Sequence, residues 1–161
     1  MVTFLDLPAE LRNRIYYLYL VSWIPIDTSR RVQRPEPSLL RVSRTLRFET
    51  SPIFYGCNVF ESWSYWALLS FIECLGPEKV NMLGAVLSFH HQPRSLGEAR
   101  MCIASDNEFV LQKLGVKIPD GIHFVQMGFK NDRLGFTNGS DSTINIGEIR
   151  RKSRAIEGNR P

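Results

Sequence analysis

Cysteine is scarce in this chain: Cys57, Cys74 and Cys102 are the only three among 161 residues. An odd number at wide intervals builds no disulfide framework and supplies no CxxC pair for structural zinc. The three read as reduced, mostly buried thiols of an intracellular protein, in cytoplasm or nucleus. Histidine is equally rare, at His90, His91 and His123. There is no HxxxH pair, no GxxxxGK[ST] and no GxGxxG, so zinc hydrolysis and the common nucleotide loops have no motif. No catalytic residue, metal ligand or cofactor is assigned; a Cys–His pair that meets only in the fold is the one enzymatic arrangement that spacing leaves open. Long apolar runs are also missing. The richest, at 15–26 and 66–75, are short and interrupted, so no membrane-spanning helix and no membrane partner is expected. Asp6, Pro8, Glu10 and two arginines stand where a signal peptide needs an apolar core. Export is therefore not expected, and Asn138-Gly139-Ser140 is a glycosylation sequon in the wrong compartment.

What the chain does have is an ordinary globular composition, 43% hydrophobic and 22% charged, enough to bury a core. Its net charge of +4 is uneven. Arg30, Arg31, Arg34, Arg41, Arg44 and Arg47 crowd one region, and Arg150, Arg151, Lys152, Arg154 and Arg160 crowd the tail. Such patches attract an acidic protein surface or nucleic acid. No zinc-finger spacing, RNP strand or GxxG loop accompanies them, so nucleic acid is the less favoured partner.

The first third is the most structured reading. Pro8 suits a helix start, and Glu10 places negative charge in its first turn. Leu11, Ile15, Leu18 and Ser22 recur at helical spacing, while Tyr16, Tyr17, Tyr19 and Leu20 make much of the remaining surface apolar. A helix apolar nearly all round needs partners on two sides: its own core, and either more core or another protein. Ser38 reads as the N-cap of a second helix, with Leu39, Val42 and Leu46 facing inward and Arg41, Arg44 and Arg47 beside them. Ser51-Pro52 reads as the start of a short third helix ending at Gly56.

These residues resemble an F-box. Leu7-Pro8-Ala9-Glu10-Leu11 and Val42-Ser43-Arg44 match its pattern. The blocks Leu7-Pro8-x-Glu10-Leu11-Arg12-Asn13-x-Ile15-Tyr16 and Arg47-x-Glu49-x-x-Pro52-x-Phe54-Tyr55-x-x-Asn58-x-Phe60 are similar to a group of fungal F-box-like proteins. Ile72 to Glu78 resembles a further element of that group, and the similarity covers roughly residues 4–90. The connection from Ile15 to Val42 is longer than in an F-box, and Leu46 stands where tryptophan is usual. The resemblance implies a docking module: a substrate receptor that links an unidentified target protein to a Skp-type adaptor of a cullin–RING ubiquitin ligase. The partner-binding residues it implies are Leu7, Pro8, Leu11, Ile15, Leu40, Val42 and Leu46, flanked by Arg41 and Arg44.

Beyond residue 56 the pattern changes. Residues 57–62, 85–90 and 122–127 read as short strands. A helix over 66–75 stops at Gly76-Pro77, and Asp106 is expected to cap another over Phe109 to Leu114, stopped near Gly115. The two helix-to-strand units have a repeat-like look. The expected fold is therefore α+β: an F-box-like helical unit (4–56), a small α/β target-binding region (57–147) and a basic disordered tail (148–161). Three functions stay open: ligase adaptor, scaffold of the same fold without ligase docking, and basic nucleic-acid-associated protein.

Overall fold

Three serines set where the main helices begin. Ser43, Ser64 and Ser95 each hold an extended backbone and accept the N–H three residues on, from Leu46, Ala67 and Glu98. They start α2 (Arg44–Cys57), α3 (Tyr65–Val80) and α4 (Leu96–Leu114). The first helix, α1 (Ala9–Leu20), follows Pro8, whose carbonyl accepts from Leu11 and Arg12. α5 (Ile146–Gly158) closes the described chain. The computed structural model describes residues 3–29, 36–89, 92–130, 133–140 and 144–158. Arg30, Arg31, Arg34, His90, His91 and Arg160 lie outside the described residues.

The chain is a mixed α/β protein. β1 (Ile26–Asp27), β2 (Val59–Ser62), β3 (Ala85–Ser88) and β4 (His123–Lys130) are parallel neighbours in that order. β5 (Arg133–Thr137) and β6 (Ile144–Asn145) extend the sheet antiparallel. Parallel neighbours require a crossover, and α2, α3 and α4 lie in those connections. Central β3 is buried along its whole length, as a strand covered on both faces must be. One face carries Phe60 and Val86 against Tyr16, Leu20, Leu40, Phe54, Leu68, Ile72 and Val110 of the helical side. The other carries Val59, Ala85, Leu87, Phe124 and Phe136 beneath Ile149 of α5. The first core runs without a break across residue 56, because α1 and α2 add Tyr16, Leu20, Phe54 and Tyr55 to it.

Several expectations change. The second helix starts at Arg44, capped by Ser43; Ser38–Arg41 forms only a turn of 3-10 helix. No separate third helix begins at Ser51-Pro52, because α2 runs on through Pro52. Burial of Thr50, Ser51, Phe54 and Tyr55 holds that segment in place, and the Thr50 hydroxyl bonds the Leu46 carbonyl at 2.6 Å. α4 begins at Ser95, eleven residues before Asp106, which sits buried in mid-helix. The tail is helical to Gly158, not disordered from residue 148. Asn145 and Glu148 form a reciprocal cap, N–H to side chain in each direction at 2.8 and 3.0 Å. Ile149 then fills the second core. Cys74 is exposed rather than buried, Cys57 is buried, and none of the three cysteines is in a disulfide. Gly115 (φ 64°) caps α4 where its end is expected, whereas at Gly76 (φ 72°) the expected end is a kink and α3 resumes through Pro77 to Val80.

One buried side chain joins the ends of α1 and α2. Asn58 donates to the Leu20 carbonyl at 2.9 Å and the Phe54 carbonyl at 2.8 Å, and accepts from Ser22 N–H at 2.7 Å. Two carbonyls left over by helix ends are thereby satisfied. Asn58→Ala leaves these groups without Asn58 and should lower stability by about 1–3 kcal/mol. Urea unfolding measures this; an unchanged midpoint would contradict the assigned role.

Candidate functional site

α1 is a helix of two faces. Arg12, Tyr16 and Leu20, four residues apart, form the inner stripe; Tyr16 and Leu20 are buried. The Glu49 carboxylate on α2 takes Arg12 in a forked pair, Nη2 at 2.7 Å and Nε at 3.2 Å. It also accepts the Tyr16 hydroxyl at 2.7 Å. The remaining Arg12 donor, Nη1, holds the carbonyls of Leu7 at 2.6 Å and Leu5 at 3.2 Å. A single guanidinium thus fixes the segment before α1, the helix itself and α2. Forked charge-assisted bonds of this kind set orientation as well as attraction. The Arg12 and Tyr16 bonds hold the Glu49 carboxyl below its ordinary range. Burial, then the Glu49 bond, push the Tyr16 hydroxyl up.

The outer stripe of α1 is apolar and uncovered. Leu11, Ile15 and Leu18 are 49%, 45% and 78% exposed. Tyr19 is exposed on the same side, and Leu5 and Phe4 are exposed in the preceding 3-10 turn, Phe4–Asp6. This is the stripe that the sequence singles out, but it faces away from the core. Of the other expected partner residues, Pro8 and Val42 are exposed, Leu7 is half-buried, and Arg41 and Arg44 are exposed near the start of α2. Leu46 is half-buried against the first core. Leu40 is a correction: at 1% exposure it is a core residue and offers nothing to a partner. Its carbonyl instead receives Arg47 Nε at 2.8 Å.

A second joint ties Glu36, at the end of the first long connection, to the helices. Its carboxylate accepts the Tyr55 hydroxyl and pairs with Lys79 of α3. Burial first, and Glu36 second, raise the Tyr55 hydroxyl far above its usual range. Phe54, Tyr55, Phe60 and Phe71 form one aromatic cluster behind this joint. Phe54, Tyr55 and Phe60 belong to the second sequence block, and they act here as core.

Among the described residues, the buried Ser88, His123 and Asp106 are not arranged as a serine relay. Ser88 Oγ lies 2.6 Å from His123 Nε2, and Asp106 Oδ2 lies 3.5 Å from the same nitrogen. A relay from acid through histidine to serine needs the two partners on opposite ring nitrogens. All three residues are buried to about the same extent, with no open approach to Ser88. The trio ties β3, α4 and β4 together through the core. Nearby Cys102 has its thiol pushed up by burial and by Asp106 and Glu98, the reverse of a reactive thiolate. Among the described residues no group of three or more His, Cys, Asp and Glu is placed to hold a metal ion. No helix among the described residues is long and apolar enough to cross a membrane.

Comparison of the chain with protein-family models, with curated proteins and with solved structures finds no match.

The Glu49 joint carries a pH signature. Its carboxyl titrates below the ordinary value of 4.5 when folded, so its stabilising contribution is whole above about that pH. That contribution is lost as pH falls through the lowered native value. Glu49→Gln should therefore lower the urea midpoint at neutral pH, with the gap to the native protein closing on acidification. A gap independent of pH would show that the charge of Glu49 has no part in it.

Proposed function

We propose that this protein is an interaction adaptor that docks through the outer face of α1. The observation that carries the reading is the division of labour on that helix. Tyr16 and Leu20 are committed to the core, while Leu11, Ile15 and Leu18 stand in solvent on the opposite side. Exposed apolar rows on a rigid helix are a common means of protein recognition. The partner is a Skp-type adaptor of a cullin–RING ligase, on the strength of the F-box resemblance of the same residues. The remainder of the fold then holds a target protein for ubiquitination. Leu7 and Pro8 sit at the entry to the docking helix, with the Leu7 carbonyl held by Arg12. Arg41 and Arg44 lie exposed and add attraction for an acidic surface.

A second reading has its own observation. α2 runs through Pro52 as one helix, and Leu40 is buried. Both depart from the three-helix F-box unit, and they favour a scaffold of this fold that has no ligase partner.

Co-purification separates the two. Changing Leu11, Ile15 and Leu18 together to Ser should abolish capture of a Skp-type adaptor. The urea midpoint should move little, because partly or largely exposed positions usually change stability by about 0.5 kcal/mol or less. Arg41→Ala with Arg44→Ala should slow association and flatten its salt dependence without abolishing capture. No capture by the native chain even at low salt would leave the scaffold reading.

A further inference from the structure

The carboxyl ends of the parallel strands β1, β2 and β3 share one edge of the sheet. A pocket of about 570 Å³ opens there, lined by Glu61, Trp63, Phe89, Phe136, Asn145 and Ile146 among others. Its floor continues the face of the second core. Alternate residues of β2 and β3 point to that face: Val59 and Ala85 in register, then Glu61 and Leu87. Trp63 and Phe89 follow two residues later. Glu61 is thus a carboxylate in a row that is otherwise apolar. Burying charge among apolar groups is costly, and a partner of opposite charge offsets the cost.

The site is built, not incidental. The Glu61 carbonyl accepts both Thr28 N–H and the Thr28 hydroxyl, at 2.9 and 2.8 Å. Trp63 N–H donates to Ser29 Oγ at 3.1 Å, and Phe89 N–H to the Ser62 carbonyl at 3.0 Å. The three strand ends are therefore laced together. Trp63 and Phe89 stack at 4.2 Å between ring centres, 17° from parallel, and Phe136 meets Phe89 edge-on at 5.6 Å. Asp27 is Glu61's register partner on β1 and adds negative charge beside it. Burial raises the Glu61 carboxyl, a hydrogen bond from the Trp63 side chain opposes the rise, and the Asp27 charge adds to it.

This chemistry selects among ligands. A neutral apolar ligand would strip water from Glu61 and return nothing. An anion would be repelled. Asn145 Oδ1 is occupied by Glu148 N–H, which leaves a poor oxygen set for a metal ion. An organic cation satisfies every wall: π faces attract it and the carboxylate pairs with it. Of the basic side chains, the planar guanidinium both stacks on aromatic rings and forks onto a carboxylate. We propose that this pocket binds the arginine side chain of a partner protein, its stem along Trp63 and Phe89 and its guanidinium at Glu61. The inference is independent of the α1 reading, since the pocket is formed by other elements.

The test is calorimetric titration of the full chain with three probes: a Gly/Ser peptide carrying one central arginine, the same peptide with citrulline, and N-acetylarginine amide. The arginine peptide should saturate the protein. Citrulline keeps shape and loses charge, and should bind at least about tenfold more weakly. Glu61→Gln, with its fold checked by near-UV dichroism, should lower the affinity for the arginine peptide by about the same factor and remove the preference over citrulline. Equal binding of citrulline by the native chain, which involves no variant, would overturn the proposal. So would unchanged affinity in a folded Glu61→Gln protein, or no binding of the arginine peptide at about 1 mM. N-acetylarginine amide carries the same side chain between two peptide groups and should match the peptide; its failure to bind would place the affinity outside the arginine side chain and overturn the proposal.

Discussion

The Glu49 carboxylate meets two side chains of α1 at once, and the geometry of the whole helical side follows from it. Arg12 and Tyr16 are four residues apart and so fall on one line of the helix. Bonding both to a single carboxylate fixes the rotation of α1 about its own axis. Once that rotation is set, Leu20 must point inward and Leu11, Ile15 and Leu18 outward. The other Arg12 donor reaches back to Leu5 and Leu7, so the approach to the helix is set by the same group. Asn58 then fixes the far end, where α1 and α2 stop together. Between these two joints the helix has little freedom to turn its apolar stripe inward.

This arrangement explains how an apolar stripe can remain in water. A helix free to roll would bury Leu11, Ile15 and Leu18 at the expense of Arg12. The charged joint opposes that roll, because moving Arg12 would strand Glu49 at a half-buried site. The sheet edge shows the same logic from the opposite side. There, lacing by Thr28, Ser29 and Ser62 keeps a carboxylate on an apolar face. In both places backbone and polar bonds hold a side chain where simple burial would not leave it. Such local disagreement with the hydrophobic pattern is where binding surfaces are expected.

How much of this was legible depends on the kind of signal. Short apolar segments bounded by turn residues read correctly as β2, β3 and β4; Gly115 marked a real helix end, and Gly76 marked a kink inside α3. The stripe Leu11, Ile15, Leu18 was visible as a period, but a period does not say which face meets the core. That choice rests on Arg12, Tyr16 and Glu49, whose contact spans 37 residues for the ion pair. All three stand in the sequence blocks, but only Tyr16 has a role there, as apolar surface, and nothing local pairs it or Arg12 with Glu49. Other misses had local signals. Ser95 three residues before Glu98, and Asn145 three before Glu148, are local helix-start patterns. Pro52 does not start a new helix, because buried neighbours on both sides carry α2 through it. The aromatic pocket had no sequence signature, since Trp63, Phe89 and Phe136 meet only through the parallel register of β2 and β3 and the antiparallel return of β5.

The central claim is that Glu49 holds α1 in its rotation and binds it into the fold. Amide hydrogen exchange resolved along the chain tests this most directly, because it reads the stability of each element separately. In the native protein, α1 amides should be protected together with those of α2. In Glu49→Ala, protection should fall across α1 and the preceding turn, while β2, β3 and β4 keep theirs. An α1 that already exchanges freely in the native protein, or one whose protection is untouched by Glu49→Ala, would contradict the account.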